Sequence, residues 1–153
     1  MTAEAARVWA EELCSRAEYA GGEIRERLIR KGLAPNVADR IVDALVETRF
    51  IDDRRFARAF VRDKVRYSHW GKRKVMLALY QKRVDRDIID DALSEIDEEE
   101  YIGGLATLLR SKLRSIGDGD DTLSYETKTK LYRFAASRGF ESSAISRAID
   151  TII

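Results

Sequence analysis

The chain has 153 residues, of which 28 are Lys or Arg and 27 are Asp or Glu, giving a formal net charge of +1 with 36% charged residues. That length supports a core of its own, and interspersed charges with regularly recurring Leu, Ile, Val and aromatic residues exclude a fibrous or disordered chain. No apolar run reaches transmembrane length, and the start MTAEAARVWAEEL lacks the cationic region and unbroken apolar core of a secretory signal, so a cytoplasmic protein without membrane contact is expected.

A first helix sets Ala6, Trp9, Ala10, Leu13 and Ala17 on one face, and Gly21-Gly22 reads as its stop. Cys14, the single cysteine, cannot form an internal disulfide and reads as a buried structural thiol. A second helix carries Ile24 and Leu28 and ends at Gly32, and a third starts near Pro35 and presents Val37, Ile41, Ala44, Leu45 and Thr48. For the fourth, Asp52 is the expected N-cap, with Ile51 and Phe56 at hydrophobic-staple spacing. The fifth spans Lys72 to Lys82, and the sixth starts from Asp85 with Ile88, Ile89, Ala92, Leu93 and Ile96 inward. The seventh aligns Ile102, Leu105, Leu109, Leu113 and Ile116. Gly117-Asp118-Gly119-Asp120-Asp121 then breaks the pattern as a candidate flexible link, and helices eight and nine follow, with Gly139 as a cap between them. No strand-like alternation competes.

One pattern recurs three times: Ile24 to Leu28 closing on Lys31-Gly32-Leu33, Val75 to Leu79 closing on Lys82-Arg83-Val84, and Leu131 to Ala135 closing on Arg138-Gly139-Phe140. Each is preceded by a longer helix and followed by a short apolar-periodic stretch. The expectation is an all-α chain of three tandem three-helix repeats, curved or elongated, at residues 1–51, 52–97 and 98–153, whose neighbours complete one another's cores.

The near-zero charge conceals two opposite patches. From Arg54 to Arg83 eleven cations are opposed only by Asp63, whereas from Asp85 to Glu100 nine carboxylates are offset only by Arg86. Within the basic run Arg55, Arg58, Arg62 and Arg66 step by three and four along one side of the fourth helix, with no carboxylate at i+3 or i+4 to neutralise most of them. Guanidinium forks suit phosphates and carboxylates alike, so the ridge is a candidate contact for a polyanion or an acidic protein surface. Lys72, Arg73 and Lys74 stand at a helix start, where the dipole disfavours cations. Backbone N–H groups there are a candidate anion site, with Trp70 placed to stack or insert. Lys82 and Arg83 are secondary candidates. Lys128, Lys130, Arg133 and Arg138 read as a second, solvated basic group.

Nothing points to catalysis. His69 is the only histidine and has no companion at metal spacing; it reads as a solvent-facing loop residue. There is no phosphate-binding glycine loop, no dinucleotide fingerprint and no Cys-His pair, and the acidic run lacks the glycine of a calcium loop and reads as a solvated face. Neither a catalytic residue nor a metal, cofactor or small-molecule substrate is expected.

The segment Phe50-Ile51-Asp52-Asp53, then Arg55-Phe56-Ala57-Arg58-Ala59-Phe60-Val61, a Gly71-Lys72-Arg73 helix start and a Leu79-x-x-Lys82 close resembles the signature of the RecX family, regulators of the bacterial RecA recombinase. Two positions depart from it. Ser68-His69-Trp70-Gly71 replaces the family's two glycines and proline, and Arg83 stands where the family has glycine, which costs about 1 kcal/mol where φ is positive. The resemblance implies an all-helical monomer that binds the RecA filament on single- or double-stranded DNA, opposes its extension, and lowers ATP hydrolysis and strand exchange. Contact is then expected from Arg55, Arg58, Arg62, Arg66, Trp70, Lys72, Arg73 and Lys74, with Lys82 and Arg83 behind them. Two other readings stay open: a stand-alone helical module for DNA or RNA, and an adaptor whose acidic face holds a basic protein.

Overall fold

The computed structural model describes residues 1–116 and 123–153; the expected link at Gly117–Asp121 lies outside the described residues. Among the described residues there are nine α-helices and no strand, so the all-α expectation holds. They are α1 (Ala3–Arg16), α2 (Gly21–Arg30), α3 (Pro35–Glu47), α4 (Asp53–Arg66), α5 (Lys72–Gln81), α6 (Arg86–Ser94), α7 (Glu98–Ile116), α8 (Tyr125–Ser137) and α9 (Ser142–Ile152).

The chain forms two compact units, one of Met1–Ala59 with Ala78–Ala92, the other of Phe60–Leu77 with Leu93–Ile153. In the first, Ala6 and Ala10 of α1, Ile24 and Leu28 of α2, and Ala38, Ile41 and Leu45 of α3 make one core. In the second, Leu105 and Leu109 of α7, Leu131 and Ala135 of α8, and Ile145 and Ala148 of α9 make another. Each fully buried Leu or Ile contributes about 1.5–3 kcal/mol.

The recurring pattern has one physical form. Ile24 and Leu28, Val75 and Leu79, and Leu131 and Ala135 are all fully buried, one turn apart. Gly32, Arg83 and Gly139 then turn the backbone left-handed at φ 97°, 62° and 90°. The next N–H donates back to the helix: Leu33 to the Leu28 carbonyl, Val84 to Leu79 and Phe140 to Ala135, each at 3.2 Å. This is the Schellman termination, and it buries the apolar residue that follows the turn.

Capping explains most boundaries. Thr2 accepts the Ala5 N–H at 3.1 Å, Asp52 that of Arg55 at 3.1 Å and Ser124 that of Thr127 at 3.1 Å, while Pro35 opens α3. Three details differ from expectation. Gly21-Gly22 does not stop α1, which ends at Arg16 with exposed Ala17 extended; it opens α2. Gly22 serves proximity instead, since a β-carbon on it would lie 2.7 Å from both the Arg83 β-carbon and the Lys82 carbonyl oxygen. Thr48 is exposed and caps α3, its hydroxyl donating to the Ala44 carbonyl at 2.8 Å. Cys14 is only half-buried, and burial, with Glu18 adding to it and Arg55 opposing it, pushes its thiol pKa up.

Candidate functional site

Helix α4 buries Phe56 and Val61 and half-buries Phe60, which leaves Arg54, Arg55, Arg58, Arg62 and Arg66 exposed. The ridge exists, but it is not left without carboxylates. Arg54 pairs with Asp91 at 2.9 Å, Arg55 with Glu18 at 2.6 Å and Arg66 with Glu100 at 3.1 Å. Arg62 stands 3.7 Å from Asp63, and Arg58 is engaged as well. Three of these carboxylates lie 34 to 37 residues away in sequence, beyond any i+3 or i+4 rule. Asp91 and Glu100 belong to the acidic run, so the two opposite patches pair partly with each other. Ion pairs this exposed are worth about 0–1 kcal/mol each, and an incoming phosphate or carboxylate displaces them at small cost.

The start of α5 is occupied too. Gly71 donates its N–H to the Arg138 carbonyl at 2.8 Å, Lys72 to the Tyr101 hydroxyl at 2.9 Å and Arg73 to the Gly139 carbonyl at 3.0 Å. The backbone anion site expected there is therefore closed, because the donors a ligand needs are already used. A β-carbon on Gly71 would fall 2.2 Å from the Gly139 carbonyl carbon, and this approach is what glycine permits. Buried Tyr101 completes the joint by donating to Glu141 at 2.6 Å; burial first, then that hydrogen bond, raises its pKa far above the ordinary phenol range. The Lys72 ammonium pairs with Glu98 at 2.9 Å and lies 4.7 Å from the Tyr101 ring centre. The secondary candidates are paired as well, Lys82 with Glu23 at 2.8 Å and Arg83 with Glu26 at 3.2 Å.

What remains is a small cluster around Trp70. Its indole is half-buried, meets Phe60 edge-on at 6.3 Å, and carries two ammonium groups, Lys64 at 4.7 Å and Lys74 at 4.4 Å from the ring centre. The Trp70 backbone N–H donates to the Lys64 carbonyl at 2.9 Å, which turns the chain back over the end of α4. Trp70 thus holds lysines rather than offering a bare ring. Among the described residues no carboxylate pairs with Lys64, Arg73 or Lys74. Lys64 was missed by sequence reasoning, since only that backbone turn brings it to the ring.

Other features are plainer. His69 is exposed at φ 54°. Lys128, Lys130 and Arg133 are exposed, while half-buried Arg138 lies 5.0 Å over the Phe134 ring. Among the described residues no group of three His, Cys, Asp or Glu side chains is placed to hold a metal, and no helix is long and apolar enough to cross a membrane. A cleft of about 100 Å³ between Val65, His69, Tyr101 and Phe140 is below the size of ordinary ligand pockets.

Two family models match, the second three-helix domain of RecX over residues 52–93 and the third over residues 99–149. The regulatory protein RecX of Chlorobium phaeobacteroides (strain BS1) is 34% identical over 140 residues, covering 92% of this chain and 88% of that protein. Those of Clostridium botulinum (strain Eklund 17B / Type B) and Lactobacillus johnsonii are 33% and 31% identical over 131 residues, 86% and 85% of this chain. The chain spans only 60% and 47% of those two relatives. Among solved structures, RecX from Lactobacillus salivarius has the same fold at a TM-score of 0.86, with 22% identity over 98% of this chain and 96% of that one. With the helix pattern, the left-handed turns and the relatives in agreement, the chain belongs to the RecX family.

Proposed function

We propose that this protein is a negative regulator of the RecA recombinase, a cytoplasmic monomer that binds the RecA–DNA filament and limits its extension, ATP hydrolysis and strand exchange. It acts by binding and has no catalysis of its own. Its three-helix units are taken as residues 1–51, 52–97 and 98–153. Family membership supports the recombinase as target. The observation that carries the DNA half is the pair of ammonium groups on the Trp70 ring, Lys64 and Lys74, with no carboxylate partner among the described residues. Like charges held on one ring repel, and an anion relieves that repulsion. Lysine is a common phosphate ligand. Arg55, Arg62, Arg66, Lys72, Lys82 and Arg83 act as a second rank that exchanges internal carboxylates for those of the partner or for phosphates, and Arg58 joins them from the same ridge.

The test is RecA-catalysed ATP hydrolysis on single-stranded DNA titrated with this protein. Wild type is expected to suppress it, and Lys64→Gln with Lys74→Gln to require at least about fivefold more protein, since each of the two lost charge-assisted contacts is worth about 1.5–3 kcal/mol less a remaining neutral hydrogen bond of about 1. Unchanged hydrolysis at saturating wild-type protein removes the regulatory reading. Binding to bare strands without any effect on RecA would favour the stand-alone nucleic-acid module instead.

A further inference from the structure

Helix α5 buries Val75 and Leu79 completely, yet its opposite side is not the charged surface such a helix ordinarily shows the solvent. Met76, Leu77 and Tyr80 are 44%, 56% and 70% exposed, within about one turn. Arg73, exposed, lies three and four residues before Met76 and Leu77 and so on the same side of the helix. Among the described residues its guanidinium meets no carboxylate, unlike Arg54, Arg55 and Arg66.

We infer that the outer face of α5 is a protein-docking surface, whose occupant is an apolar patch carrying one carboxylate that meets Arg73. The residue types decide between protein and nucleic acid. A phosphodiester backbone offers nothing to Met76 or Leu77, whereas Met, aromatic residues and Arg are the side chains enriched at the centres of protein interfaces. Charge complementarity fixes the polar half of the occupant. A guanidinium bordered by apolar side chains is matched by a carboxylate bordered by apolar side chains, and its planar fork takes such a group through two parallel hydrogen bonds. On the functional reading above, on which this inference rests, that surface belongs to RecA. Lys64 and Lys74 on Trp70 then serve the DNA, and α5 serves the protein.

The experiment compares wild type with two variants, Met76→Ser with Leu77→Ser, and Tyr80→Ser. The exposed sites leave folding intact, which circular dichroism checks. Binding is measured to RecA filaments and to bare single-stranded DNA, and light scattering gives the mass of the free protein. The double variant is expected to lose tenfold or more in filament affinity, Tyr80→Ser to lose at least threefold, and both to keep wild-type affinity for bare DNA within twofold. Filament binding by both variants equal to wild type overturns the inference. So does a parallel loss on bare DNA, which gives the face to nucleic acid, or a wild-type dimer that the double variant dissociates, which gives it to a second copy. Wild type that binds no filament at all is a different failure, that of the regulatory reading, and it removes RecA as occupant.

Discussion

Arg83 holds a left-handed φ of 62° where the matching turns have Gly32 and Gly139. Its β-carbon is tolerated because Gly22, opposite, has none: one added there would sit 2.7 Å from that of Arg83. The two positions share a single space. At residue 83 glycine should exceed alanine in stability by about 1 kcal/mol, the reverse of the order inside a helix. Both variants lose the exposed pair with Glu26, so that term cancels. Gly22→Ala should cost about 1–3 kcal/mol by overpacking, although alanine is the better helix former. Urea unfolding of the three variants measures both effects; equal stability of Arg83→Gly and Arg83→Ala would show that the turn carries no strain.

At the scale of the element, the start of α5 is a joint in which three N–H donors meet the Arg138 carbonyl, the Tyr101 hydroxyl and the Gly139 carbonyl. Tyr101→Phe keeps the ring against Phe140 but strips the acceptor from the Lys72 N–H and the donor from Glu141. A loss of about 1–3 kcal/mol is expected in thermal unfolding, with faster amide exchange at Lys72. Exchange unchanged at Lys72 would mean that water replaces the hydroxyl without loss. This joint was not legible in the sequence, whereas the helices around it were. Helices, staples and left-handed turns follow from spacings of three to five residues, so Ile24, Leu28 and Leu33 announce themselves. The Gly21-Gly22 pair signals termination by default, whereas the cause of Gly22 is Arg83, far along the chain. The expectation that the arginine ridge lacks carboxylates fails in the same way, for Glu18, Asp91 and Glu100 are invisible to any local rule.

Across the whole molecule, most cations of the basic run are answered by the chain's own carboxylates, so the two opposite patches that sum to a net charge of +1 are also partly paired in space. Binding to bare single-stranded DNA should weaken by about 0.7 log units per log unit of salt for each phosphate neutralised. Lys64→Gln and Lys74→Gln should each flatten that slope by about 0.7, while Arg54→Gln, outside the proposed contact residues, should leave it unchanged. Equal slopes for all three variants would put the phosphate contacts elsewhere. The same titration can be followed without a label. The chain has two tryptophans, and Trp9→Phe leaves Trp70 as the only indole. Two ammonium groups within 5 Å of that ring perturb its excited state, so a ligand that draws Lys64 and Lys74 away shifts its fluorescence. The residue that organises the lysines is thereby an optical readout of their occupancy.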